Sequence, residues 1–167
     1  MANLIREQKL IDSNKRTLAK YVLISDGTQE SNTVLLDVST LNLAMNANNQ
    51  IMVGGVHPKS TYRTTIKRVF GSVTSNNGII RIKWHGDANS EIITAGSGTF
   101  DYDFQSMGDG ATISNPEANS SGDILITTTG LTAGEVATLF LDIRKDGRDY
   151  DSGQTADPYA FNNISRM

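Results

Sequence analysis

Short stretches of alternating apolar and polar residues run through most of this chain, broken about every ten residues by Gly, Asn, Asp or Ser. A period of two belongs to β-strands with one buried and one wet face, and long helices have no place in it. Thr17–Ile24 (TLAKYVLI) stops at the turn pair Asp26-Gly27, and Thr33–Val38 follows. Ser39–Asn49 opens on a capping-type serine and has spacing for a turn or two of helix. In Thr61–Val69, Tyr62, Thr64 and Ile66 share one face. Ser75-Asn76-Asn77-Gly78 carries the strongest two-residue hairpin signal and leads into Ile79–Trp84, where Ile80, Ile82 and Trp84 alternate with Arg81 and Lys83. Glu91–Ala95 precedes Thr99–Gln105, the cleanest alternation in the chain, with Phe100, Tyr102 and Phe104 against Asp101 and Asp103. Asp123–Thr129 and Val136–Arg144 complete the set.

The pattern predicts an all-β fold: an antiparallel β-sandwich or jelly roll of about eight or nine short strands, with a small closed barrel as the alternative. It spans residues 17–145. Residues 1–16 and 146–167 fall outside the periodicity and read as an N-terminal and a C-terminal arm. Both place large side chains among polar neighbours: Leu4, Ile5 and Leu10 in the first, Tyr150, Tyr159 and Phe161 in the second. An arm that orders on contact uses such side chains as anchors.

Composition narrows the function. The chain of 167 residues has no cysteine, which removes disulfide scaffolds, thiol nucleophiles and cysteine-based zinc sites. With two histidines, His57 and His85, most metalloenzymes and Ser-His-Asp hydrolases are poor fits. No apolar run is long enough for a membrane helix, and Arg6, Glu7, Lys9 and Asp12 stand where a signal peptide would need apolar residues. The expectation is a non-enzymatic protein with no cofactor, no nucleic-acid partner and no membrane contact.

The net charge of −3 hides an uneven distribution. Residues 1–85 carry +6 and residues 86–167 carry −9. Residues 60–85 hold Arg63, Lys67, Arg68, Arg81 and Lys83 without an acid, and residues 86–142 hold nine acids without a base. Three readings follow: neighbouring strands pair these charges within one subunit, a basic face of one subunit meets an acidic face of another or of a partner, or the basic residues form a nucleic-acid patch, for which five bases without an aromatic-rich strand motif are weak grounds.

Candidate chemistry is sparse. Asp101 and Asp103 share a strand face, as two metal ligands could, but a solvated face explains them. Asp146, Asp149 and Asp151 lie in an acidic loop that lacks EF-hand spacing. His85-Gly86-Asp87 sets a base beside an acid with no activated serine motif. Gly96-Ser97-Gly98 and Gly108-Asp109-Gly110 read as hairpin turns, and His57, before Pro58, as a loop residue. Trp84, Phe100 and Tyr102 could form a sugar-stacking platform, although alternation puts all three on the core face.

The stretches KYVLISDGT, TVLLDVSTL, YRTTIKRVFGSV, IRIKWHGD, SGDILITTTG and TLFLDIRKD, over roughly residues 14–160, resemble a family of virion structural proteins from tailed bacteriophages of marine bacteria and cyanobacteria. These are strand patterns and not chemical motifs, so the resemblance carries over no catalytic residues. It implies a β-rich building block on the virion, made in the host cytoplasm: a head decoration or cement protein bound to the major capsid protein, in a symmetric assembly such as a homotrimer. A neck or tail component, or a carbohydrate-binding module for host attachment, is the alternative. Under that expectation the partner and oligomer contacts are Leu4, Ile5, Leu10, Arg63, Lys67, Arg81, Lys83, Tyr150, Tyr159 and Phe161.

Overall fold

The computed structural model describes residues 3–52, 58–108 and 112–151. They form an all-β structure of ten strands in two antiparallel sheets. The strands are β1 (Leu4–Asp12), β2 (Arg16–Ile24), β3 (Thr33–Leu36), β4 (Thr64–Thr74), β5 (Ile79–Trp84), β6 (Glu91–Ala95), β7 (Gly98–Asp103), β8 (Ile113–Ser114), β9 (Ile124–Thr129) and β10 (Val136–Lys145). The larger sheet has the order β1-β2-β10-β4-β7, with β8 added to the end of β4, and the smaller has the order β3-β9-β5-β6.

Alternation does what the sequence reading expects at the centre of both sheets. In β2, Thr17, Ala19, Tyr21 and Leu23 point inward while Arg16, Leu18, Lys20 and Val22 point out. Ala137, Leu139, Leu141 and Ile143 of β10 lie beside them, and Ile66, Val69 and Val73 of β4 continue the layer. The facing layer is Ile80, Ile82 and Trp84 of β5 with Ile124 and Ile126 of β9. Each fully buried Ile or Leu is worth about 1.5–3 kcal/mol, so these two layers are the main source of stability. One glycine that the chain path demands is Gly122, at φ +94°. A Cβ there would sit 2.1 Å from the Tyr62 carbonyl oxygen.

Four expectations are corrected. The N-terminal segment is no free arm: Leu4–Asp12 pairs along its length with β2, and only Ile5 and Asp12 are half-buried. A strand at a sheet edge, wet on both faces, shows no period of two, which is why the sequence hid it. The Asn-Gly turn makes no hairpin, because β4 and β5 belong to different sheets and the 75–78 loop carries the chain from one to the other. Its geometry is set by Ser75, whose hydroxyl oxygen accepts from the Gly78 amide at 2.7 Å and donates to Glu135 at 2.8 Å. The helical turn is a single 3-10 turn, Val38–Thr40, capped by Asp37 and not by Ser39.

The fourth correction is Tyr150. It is a core residue, fully buried, with its hydroxyl donating to the Val38 carbonyl at 2.7 Å and its ring tilted against Tyr62 at 5.6 Å. The segment leading to it is tied down as well. Asp149 is buried and accepts from the Arg63 amide, the Arg63 guanidinium at 2.7 and 3.0 Å, and Lys59 Nζ at 3.3 Å. The acidic loop is therefore neutralised from within the subunit, Asp146 being held by Arg148 in the same way. Tyr159 and Phe161 lie outside the described residues, as does His57.

This buried carboxylate gives a pH prediction. Burial alone would raise the Asp149 carboxyl, but the donors from Arg63 and Lys59 outweigh it and hold it below the ordinary value. A folded-state pKa below the unfolded one contributes stability above an ordinary Asp value of about 3.9, and that stability is lost as pH falls through the folded value. The melting temperature should fall steeply below about pH 4, and Asp149→Asn should lower it at neutral pH while flattening the acid limb. Parallel acid limbs for the two proteins would assign the acid lability to other carboxylates.

Candidate interaction face

Strand register turns the outer face of the larger sheet into a grid. One row reads Gln8, Lys20, Phe140, Phe70 and Asp101 across β1, β2, β10, β4 and β7. The next row reads Ile11, Leu18, Asp142, Arg68 and Asp103, and on the other side lie Arg6, Val22, Thr138, Ser72 and Thr99. Leu4, Ile24, Val136 and Thr74 close that end. A solvated sheet face is ordinarily polar, yet this one carries Phe140, Phe70, Leu18, Val22, Ile24, Ile11 and Leu4.

The centre is aromatic and pre-ordered. Phe70 and Phe140 stack with centroids 4.7 Å apart and planes 2° from parallel. The Arg68 guanidinium lies 4.6 Å from the Phe70 centroid and Lys20 Nζ 6.0 Å from the Phe140 centroid. Arg68 is itself held by two hydrogen bonds to Asp101, at 2.8 and 2.5 Å, and Arg16 by two to Asp142, both at 2.8 Å. Bonding to Arg68 holds the Asp101 carboxyl below its usual range, and the same bond raises the guanidinium. Two arginines are thus paired with two aspartates, their planar groups are fixed in place, and two phenyl rings stand in the middle. Aromatic and arginine side chains at the centre of a flat patch are what protein–protein contacts use as anchors.

The predicted contact residues do not gather on one surface. Leu4 is on this outer face, Leu10 is an extra, exposed residue in a bulge of β1, and Ile5 points inward against the core. Lys67 sits in a bulge of β4, where the register slips between Ile66 and Arg68. Arg63 is committed to Asp149. Arg81 and Lys83 are on the outside of the other sheet, Arg81 3.6 Å from Glu91 and Lys83 bonded to Asn32 Oδ1 at 3.1 Å. The basic stretch of the sequence is thereby split between opposite faces. Its charge meets the acidic half of the chain inside one subunit, in Arg63–Asp149, Arg68–Asp101 and Arg81–Glu91, and Arg16–Asp142 joins the two halves in the same sense.

Other candidates resolve into structure. Asp101 holds Arg68, and Asp103 caps a 3-10 turn by accepting from the Gln105 amide at 3.1 Å. Ser121 donates its hydroxyl to Asp123 at 2.7 Å, and its amide donates to His85 Nδ1 at 3.2 Å. The Ser121 hydroxyl also lies 3.1 Å from His85 Nδ1, so its single proton stands between a carboxylate and an imidazole nitrogen. Asp87 accepts from Asn119 and does not meet His85 in a bond. The sugar platform is not assembled: Trp84 is 1% exposed, Phe100 is half-buried, and Tyr102, expected in the core, is 36% exposed with its hydroxyl on the Thr94 carbonyl. β7 is an edge strand, and its alternation is not matched by a covering layer. Among the described residues no helix is long and apolar enough to cross a membrane.

Nothing in the sequence flagged the phenylalanine pair, because Phe70 and Phe140 stand 70 residues apart and only register brings them together. Comparison of the chain with protein-family models, with curated proteins and with solved structures returns no match.

Proposed function

We propose that the chain is a non-enzymatic structural protein of a phage virion, a decoration or cement subunit that attaches to the major capsid protein through the outer face of its larger sheet. The observation that carries this reading is the pre-ordered aromatic and arginine centre of that face, half-buried on the outer side where a solvated sheet needs polar residues. The strand orders add support. With β1 set aside, the orders β2-β10-β4-β7 and β3-β9-β5-β6 support a reading as jelly-roll winding, an architecture common in viral shells. A fold alone assigns no function, so the face and not the winding bears the argument. Arginines committed to Asp101 and Asp142 are not free for a phosphate backbone or an anionic lipid surface, and suit a protein partner better.

The test is attachment to purified particles stripped of the protein. Phe140→Glu and Phe70→Glu are half-buried on the outer side, so each should leave a folded protein while lowering occupancy by at least about tenfold, the scale of a lost anchor at the centre of a contact. Full occupancy by both variants would remove this face from the interaction. Binding to tails in place of heads would keep the face and move the protein to the neck or tail.

A further inference from the structure

We propose that two copies of this chain join edge to edge through β1, antiparallel about a two-fold axis, so that their larger sheets become one continuous sheet. Among the described residues β1 pairs with β2 alone, and its other edge presents unpaired backbone amides and carbonyls along a nine-residue strand. The apolar exposure gathers there too. Leu4, Leu10, Ile11 and the adjacent Ile24 are 43, 46, 39 and 38% exposed. A strand that ended in solvent would have no need of them.

The charges choose the occupant and its register. Glu7 and Lys9 lie on the same side of β1, with Lys9 Nζ 3.9 Å from Glu7 Oε1. Pairing a second β1 antiparallel with Gln8 opposite Gln8 sets each Glu7 against Lys9 of the other copy, on that same side. Sliding by two residues in either direction sets Glu7 against Glu7 or Lys9 against Lys9, which cross-strand repulsion disfavours. Charged edge residues and the bulge at Leu10 are also devices that keep strands apart. Here they act selectively: a foreign strand meets them as obstacles, while a second copy meets them as complements. The two-fold axis stands perpendicular to the sheet, so both aromatic outer faces end on the same side. This makes a dimer, in place of the trimer implied by the family resemblance, and the contact does not depend on what the outer face binds.

The experiment is sedimentation or light scattering of the full chain, with near-neutral buffer and low salt. Wild type should be a dimer at about 100 µM. Lys9→Glu puts two acids at each edge, Glu7→Lys puts two bases, and each alone should weaken the dimer at least about tenfold. Mixing the two variants should restore it as a heterodimer, as should the double swap in one chain. A second single variant guards against one that fails to fold, and circular dichroism checks both. A wild-type monomer, as would follow if residues 152–167 covered the edge, overturns the proposal. So does a trimer, or a dimer indifferent to both reversals. Particle attachment can fail without touching this result, because it reads Phe140 and not β1.

Discussion

Replacing Trp84 with alanine is expected to unfold the protein, or bring it close to unfolding, at physiological temperature. Trp84 ends β5 on the inner face, 1% exposed, opposite Ile124 in register. Truncating a buried aromatic of this size costs about 3–5 kcal/mol, against a total of about 5–15 kcal/mol for a domain. Among the described residues the indole N–H has no hydrogen-bond partner, so it adds a buried unsatisfied donor to the folded state. Trp84→Phe removes that donor and keeps an aromatic ring, and it should cost much less than the alanine change. Urea titration of the three proteins at one pH measures both. Equal midpoints would show that Trp84 packs loosely. A folded Trp84→Ala protein that had lost sugar binding would reinstate the platform reading.

The same residue shows what the sequence could reveal. In IIRIKW each apolar position has a covered layer above it, so alternation and burial coincide. TFDYDF alternates more cleanly still, yet Tyr102 is exposed, because alternation states which residues share a face and not whether anything covers that face. β1 failed for the opposite reason: both its faces are wet, so it offers no periodicity to find. The Asn-Gly pair fixed a turn but not the sheet entered by the strand after it. Tyr150 looked like a tail anchor because its neighbours are polar, but those neighbours, Asp149 above all, are buried with bases from residues 59 and 63. Long-range pairing decides all of these, and local composition does not carry it. The interaction face is the extreme case. Its rows are made of residues from five strands, and only the register of the finished sheet lines up Lys20, Phe140 and Phe70.

The largest electrostatic effect is expected at Lys145. Its side chain is entirely buried at the end of β10, and its three ammonium protons have three acceptors: Asp12 Oδ1 at 2.5 Å and the carbonyls of Ser13 and Asn42, both at 2.8 Å. This cluster ties the β1–β2 turn to the last strand and to the loop after the 3-10 turn. Burial pushes the Lys145 ammonium below its ordinary value, with Asp12 opposing. For Asp12, burial pulls upward, but Lys145, the Asn42 amide and Thr17 together hold the carboxyl below its usual value. The two shifts differ in which form of the pair they favour. The complete set of donors and acceptors decides for the charged pair. Lys145→Met fills the space but leaves a carboxylate and two carbonyls without their donor, a loss of about 3–5 kcal/mol. Adding Asp12→Asn removes the stranded charge, so the double variant should be more stable than Lys145→Met alone. Thermal melts of the two singles and the double form the cycle. If the double variant loses the sum of the two single losses, the pair is not coupled, and the cost of Lys145→Met comes from packing.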